Sequence, residues 1–388
     1  MSDLSSSDLV FPEWPQYDDT ERDNLIRALE QGQWWRIGGS EVDEFEREFG
    51  EYHGASHTLA VTTGTHALEL ALQVLGVGPG TEVIVPAFTF ISSSQAAQRL
   101  GAVVVPVDVD LGTYNISPEA VANAITDRTR VIMPVHMAGQ IADMDALDKI
   151  AADSGVAILQ DAAHAHGARW RGKRIGELGS MAAFSFQNGK LMTAGEGGAV
   201  IFPDRELYEE GFLRHSCGRP RTDRHYLHRV SGSNFRMNEF SGAILRAQLS
   251  RLDGQITLRE QRGPLLARLL AEIPGVVPQE IDPRADRNPR YMAMFRLEGA
   301  DETTRNEIVD RLVQRGLPAF SAFRAIHRCE AFWEIGAPDE TVEAVAERTP
   351  NAETLSREAV WLHHRTLLGA EEQMHRIAEI VADVVARA

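Results

Sequence analysis

Cysteine is almost missing from this chain: Cys217 and Cys329 are the only two in 388 residues. They stand far apart and outside any Cys-x-x-Cys spacing, which argues for free, buried thiols rather than a disulfide framework or a thiolate zinc site. Positive charge is short as well. With a formal net charge of −17, the chain lacks the basic face that phosphate backbones demand, so a nucleic-acid partner is not expected. No apolar run reaches membrane-spanning length, and Met1-Ser-Asp-Leu-Ser-Ser-Ser7 lacks the basic-then-apolar order of a secretion signal. The expectation is a cytoplasmic protein with no membrane partner. There is no G-x-G-x-x-G, so a nicotinamide site lacks its anchor. His164-Ala-His166 and His363-His364 do not follow the common zinc spacings, and no metal is expected. Internal repeats and low-complexity tracts are also absent.

What the chain does have is alternation. Asp18-Asp-Thr-Glu21 opens a helix to about Glu30, with acids where the dipole favours them. From His57 onward, strand, turn and helix repeat. Strands are expected at Leu59–Val61, Glu82–Pro86, Val103–Val107, Val131–Val135 and Val156–Gln160. The helices expected between them are His66–Leu75, Ser92–Leu100, Ala120–Ile125 and Met144–Ser154. Ser117-Pro118 supplies an N-cap and a first-turn proline for the third of these helices. Such a pattern predicts an α/β fold with a mainly parallel sheet and helices on both faces, ligands lying at the carboxyl ends of the strands. Beyond it come a long helix over about 238–270, a strand at 291–297, helices at 303–315 and 371–387, and mixed signals over 325–361. Trp34-Trp35 reads as a core anchor or as part of a dimer seam.

Chemistry concentrates in one stretch. Met181–Phe186 reads as a strand that stops at Asn188-Gly189; Lys190 follows, and Gly195-Glu-Gly-Gly198 leads into a second strand at Ala199–Phe202. A lysine between two glycine-bearing turns can present its amine to a cavity and form an imine with a carbonyl. Upstream, Val156-Ala-Ile-Leu-Gln-Asp161 places an acid at another strand end. A strand-end aspartate about thirty residues before a strand-end lysine suits pyridoxal 5'-phosphate (PLP), with the carboxylate on the pyridine nitrogen and the lysine on the aldehyde. Gly64-Thr65, between a strand and a helix, can hold a phosphate on backbone N–H groups.

These residues resemble the fold-type I PLP enzymes, and within them the DegT/DnrJ/StrS sugar-aminotransferase family. The likeness runs from about Phe11 to the C-terminus. Trp14-Pro-Gln-Tyr-Asp-Asp-Thr-Glu-Arg22, Gln31-Gly-Gln-Trp-Trp-Arg-Ile-Gly-Gly39, the Lys190 stretch and His215-Ser-Cys-Gly-Arg-Pro220 are similar to a subgroup from ansamycin antibiotic pathways. The resemblance implies a large PLP domain with a seven-stranded-type sheet over 13–255, a smaller α+β domain over 256–388, and a disordered N-terminus over 1–12.

It also implies roles for residues. Gly64, Thr65 and Ser185 would form the phosphate cup. Phe90 would stack on the cofactor, with Phe88 as competitor. Asp161 would hold the pyridine nitrogen, and Lys190 would hold the aldehyde and act as the catalytic base and acid. His164 stands where many relatives carry glutamine to bond the phenolic oxygen; His166 is either a substrate contact or a surface residue. Asn238 is either the N-cap of the long helix or the asparagine that reaches the neighbouring subunit's phosphate, which implies a homodimer with shared sites. The activity implied is dehydration and aromatisation of an aminocyclohexene carboxylate, 5-amino-5-deoxy-3-dehydroshikimate. A PLP-dependent amination of a keto-sugar or keto-cyclitol, with glutamine or glutamate as donor and a pathway oxidoreductase as partner, is the alternative. A non-catalytic PLP-binding regulator would require a DNA-binding appendage that the acidic chain lacks.

Overall fold

The computed structural model describes residues 9–388, so the disorder expected over 1–12 falls mostly outside the described residues. Leu9 and Phe11 lie against the C-terminal core. The N-terminal half builds a seven-stranded sheet from β1 (His57–Val61), β2 (Glu82–Pro86), β3 (Val103–Val107), β4 (Thr129–Ile132), β5 (Ala157–Asp161), and, after the two-residue β6 (Arg169–Trp170) and β7 (Lys173–Arg174), β8 (Met181–Ser185) and β9 (Gly198–Phe202). Their order is β1-β9-β8-β5-β4-β2-β3. Only β9 runs against its neighbours; β8, β5, β4, β2 and β3 pair in parallel.

A parallel sheet covered on both faces needs strands that are apolar along nearly their whole length, and Glu-Val-Ile-Val-Pro and Met-Ala-Ala-Phe-Ser are apolar except for one terminal residue each. Ile84, Ile158, Phe184 and Ile201 face one core with Phe45, Phe49, Met144, Leu245 and Leu252. Val83, Val85, Leu159, Ala183 and Phe202 face the other with Leu68, Leu72, Ala97 and Phe212. The period of two thus serves two buried faces.

The C-terminal part carries a four-stranded antiparallel sheet in the order β10-β11-β13-β12, made of β10 (Val276–Pro278), β11 (Met292–Leu297), β12 (Ala319–Ser321) and β13 (Ala359–His363). Helices Glu302–Gln314 and Glu371–Val385 pack on it. The 33-residue helix Glu239–Ala271 joins the two parts. Its first half buries Leu245, Leu252 and Ile256 in the large core, and its second half buries Leu266 and Leu270 in the small one.

Helix Asp19–Glu30 begins with a capping box from Asp18 and Glu21, and Ser117 caps Pro118–Ala124 as its sequence predicts. Helix Glu41–His53 was not anticipated, although Val42, Phe45 and Phe49 repeat at helical spacing and are fully buried. Trp34 and Trp35 are about half exposed, at 52% and 49%, and so are not core anchors. Arg236 lies over the Trp35 ring at 5.7 Å, and the Trp34 indole N–H donates to the Leu29 carbonyl at 3.2 Å. Cys217 and Cys329 are free and half-buried. Among the described residues no helix is long and apolar enough to cross a membrane, and no cluster of three or more His, Cys, Asp or Glu side chains is placed to hold a metal ion.

Candidate active site

A cavity of about 400 Å³ lies at the carboxyl ends of β1, β2, β5 and β8. Its wall includes Gly64, Thr65, Phe90, Asp161, His164, Ser185 and Lys190 from the large part, with Tyr291, Phe323 and Trp361 from the small one.

Gly64 and Thr65 occupy the first turn of helix Gly64–Val74, where backbone N–H groups precede the helix's own hydrogen bonds. Thr63 caps that helix, its hydroxyl accepting from the His66 N–H at 3.1 Å. Glycine is required at 64 because the helix start rests on β8: a Cβ there would stand 2.6 Å from the Ser185 Cβ. The Thr65 hydroxyl donates to Ser92 at 3.2 Å.

Asp161 ends β5 and is buried. Its carboxylate accepts from the Ser93 hydroxyl at 2.8 Å and the Ala163 N–H at 3.2 Å. Burial pushes its pKa up, against those two bonds and the Lys190 charge. A buried carboxylate with so little compensation is a strong acceptor for a cationic ring N–H.

Lys190 follows a tight turn in which its N–H donates to the Gln187 carbonyl at 2.8 Å. Its Nζ lies 4.6 Å from the centre of the Tyr291 ring. Tyr291 also stacks on His164, with centroids 4.3 Å apart. His164 is fully enclosed, and burial, reinforced by the Lys190 charge, pulls its pKa well below the usual histidine value. The ring is therefore neutral, and its buried Nδ1 has no hydrogen-bond partner among the described residues.

Phe90 is 57% exposed and reaches across the cavity toward Phe323, whereas Phe88 is wholly in the core. His166 is not a surface residue: it is completely buried between Phe184 and Phe186. Asn238 does not line this cavity; it caps the long helix, its side-chain oxygen accepting from Ser241 N–H at 3.0 Å.

A profile of the DegT/DnrJ/EryC1/StrS aminotransferase family matches residues 16–382, and the chain belongs to that family. It is 71% identical to the 3-amino-5-hydroxybenzoate synthase of Amycolatopsis mediterranei over 380 residues, covering 97% of this chain and 98% of the relative. The crystal structure of a 3-amino-5-hydroxybenzoic acid (AHBA) synthase superposes with a TM-score of 0.97 at 71% identity, over 98% of this chain and 99% of that one. DesV of S. venezuelae, solved in complex with a ketimine intermediate, superposes with a TM-score of 0.85 at 34% identity, over 95% of each chain.

PLP is the family's cofactor, and three observations fit the cavity to it. The acid wall is the under-compensated Asp161; the anion cradle is a helix N-terminus set so close to β8 that a Cβ at Gly64 would meet Ser185; and the amine of Lys190 stands on the same cavity wall. Ser93, Tyr291 and Phe323 went unrecognised in the sequence. Ser93 lies 68 positions from Asp161, and the other two arrive from the second domain. No local pattern marks any of them.

Proposed function

We propose that this chain converts 5-amino-5-deoxy-3-dehydroshikimate to 3-amino-5-hydroxybenzoate, the starter unit of ansamycin-type antibiotics. The observation that carries the reading is 71% identity over nearly the full length of a 3-amino-5-hydroxybenzoate synthase, combined with an intact lysine–aspartate cavity. Gly64, Thr65 and Ser185 would hold the PLP phosphate, Phe90 would cover the ring, Asp161 would keep the ring nitrogen protonated, and neutral His164 would bond the phenolic oxygen. Bound there, PLP supplies an electron sink for the charge that develops at the amine-bearing carbon.

The protein supplies proton handling and enclosure. Lys190 Nζ removes the proton from the amine-bearing carbon and, as the ammonium, returns a proton to the departing neighbouring hydroxyl, which leaves as water. A ring methylene then loses a proton while the ring ketone oxygen gains one, and the resulting phenol is aromatic. Asp161 holds its charge beside the ring throughout, with Ser93 fixing the carboxylate plane. Tyr291, Phe323 and Trp361 close the small-domain side and limit water. The division into domains 13–255 and 256–388 belongs to this proposal, the boundary falling inside the long helix that serves both cores.

The working unit in this reading is a homodimer. Asn238 lies outside its own chain's cavity, next to Glu239, whose N–H donates to the carbonyl of the half-exposed Trp34; in this reading Asn238 would serve the phosphate of the neighbouring subunit. The family's aminotransferase character supports a second activity, amination of a keto-sugar or keto-cyclitol supplied by a pathway oxidoreductase. Lys190→Ala tests the shared core of both readings. Turnover should be abolished while the fold is retained; substantial residual activity would overturn the role of Lys190.

A further inference from the structure

The backbone that carries Lys190 is held by two residues far apart in sequence, Trp14 and His364, the second of them backed by Arg259. The Trp14 indole N–H donates to the Asn188 carbonyl at 3.0 Å. His364 Nε2 lies 3.2 Å from the Gly189 carbonyl, and its Nδ1 lies 3.0 Å from Arg259 Nη2. A guanidinium only donates, so Nδ1 must carry the lone pair and the ring proton must sit on Nε2, directed at Gly189. Arg259 thereby sets the tautomer that lets His364 donate to the lysine turn. Trp14 meets His364 edge-on at 4.4 Å and lies under the Arg259 guanidinium at 5.6 Å, locking all three together.

Arg259 is wholly buried, and among the described residues its Nε and Nη1 have no hydrogen-bond partner and no carboxylate pairs with it. Burial lowers its pKa to about 9, which leaves it charged at neutral pH. A buried, unpaired cation is costly to keep. Its Nη2 donates to His364 Nδ1, and through that ring it reaches the lysine turn.

We propose that Trp14, His364 and Arg259 are positioning residues that clamp the Asn188 and Gly189 carbonyls and so fix the direction in which Lys190 enters the cavity. The inference rests on Lys190 as the catalytic amine, and extends the site to the N-terminal arm, the long helix and the segment after β13.

The test uses the full chain with Trp14→Phe, His364→Leu and His364→Gln. Trp14→Phe keeps a ring against His364 and removes only the donor. The glutamine amide can stand in for Nε2–H, whereas leucine cannot. Hydrogen exchange of the 186–192 segment, measured without cofactor, should quicken about tenfold in Trp14→Phe and His364→Leu. In PLP-loaded protein, kcat should fall roughly ten- to hundredfold with KM changed little, because the base is misplaced while the substrate contacts remain. His364→Gln should lie closer to the parent than His364→Leu in both measurements. Unchanged exchange and kcat in Trp14→Phe, or no advantage of glutamine over leucine, would overturn the clamp. Should His364→Leu fail to fold, Trp14→Phe alone decides. Retained turnover in Lys190→Ala would instead remove the catalytic reading beneath it, while the exchange data would still report on the clamp.

Discussion

Gly64→Ala is the smallest change that should separate cofactor binding from chemistry. The added methyl would stand 2.6 Å from the Ser185 Cβ, whereas carbon atoms pack at about 3.5–4.0 Å. The helix start must therefore retreat from β8 by roughly 1 Å, since β8 is paired with β5 on one side and β9 on the other, Ser185 itself opposite Gly198. Overpacking of this kind costs about 1–3 kcal/mol. For a chain of this size that lowers Tm by only about 1–4 °C. The larger effect falls on the phosphate, which loses about one charge-assisted hydrogen bond from the retreating N–H groups, ~1.5–3 kcal/mol. PLP should then bind about ten- to hundredfold more weakly. Titration of PLP followed by absorbance reads the affinity, and thermal melting of the cofactor-free chain reads the fold. A variant that binds PLP as tightly as the parent would refute the assignment of this helix start as the phosphate cradle.

Two further outcomes follow from the same geometry. If Asn238 serves the neighbouring site, inactive Lys190→Ala and Asn238→Ala chains, mixed and allowed to exchange subunits, should regain about a quarter of parental activity, because each mixed dimer then holds one complete site; no recovery would place Asn238 within its own subunit's chemistry. For pH, His136 is buried, its Nε2 facing the Gln160 side-chain oxygen at 3.0 Å and its Nδ1 accepting from Ala142 N–H at 3.2 Å, and burial lowers its pKa to about 4. A depressed histidine pKa means that the unfolded chain binds the proton more readily, so its stabilisation is complete above about pH 6.5 and is lost as pH falls toward 4. Urea midpoints should drop over that window by an amount equivalent to ~3 kcal/mol from this residue, and His136→Asn should be weaker at pH 8 but less pH-dependent. Parallel pH curves for the two proteins would contradict this.

Much of the catalytic half of the molecule was legible because its signals are local. A parallel strand buried on both faces has to be apolar, and a strand end has to change composition. Both Asp161 and Lys190 therefore stand out against Ala-Ile-Leu-Gln and Ala-Ala-Phe-Ser. The N-cap at Ser117 was legible for the same reason, since a cap is set by its neighbours three residues on. The unread part depends on long-range packing. Phe88 and Phe90 are two positions apart in one motif, and only the fold sends one into the core and the other to the cavity. His166 could be a substrate contact or a surface residue by its sequence position, and only the fold buries it against Phe184 and Phe186. Helix Glu41–His53 was overlooked although its apolar spacing is present, because its charged face dominates the composition. Trp14, Arg259 and His364 carry no mutual signal, since their meeting depends on the arm, the long helix and the second domain converging.

The central claim is that this site eliminates water and aromatises its substrate. The measurement is incubation of purified, PLP-loaded protein with 5-amino-5-deoxy-3-dehydroshikimate alone, with no amino acceptor, following product by absorbance and mass. The account predicts catalytic formation of 3-amino-5-hydroxybenzoate. An absence of product, together with a cofactor spectrum that changes on adding glutamine, would contradict it and leave a dedicated aminotransferase.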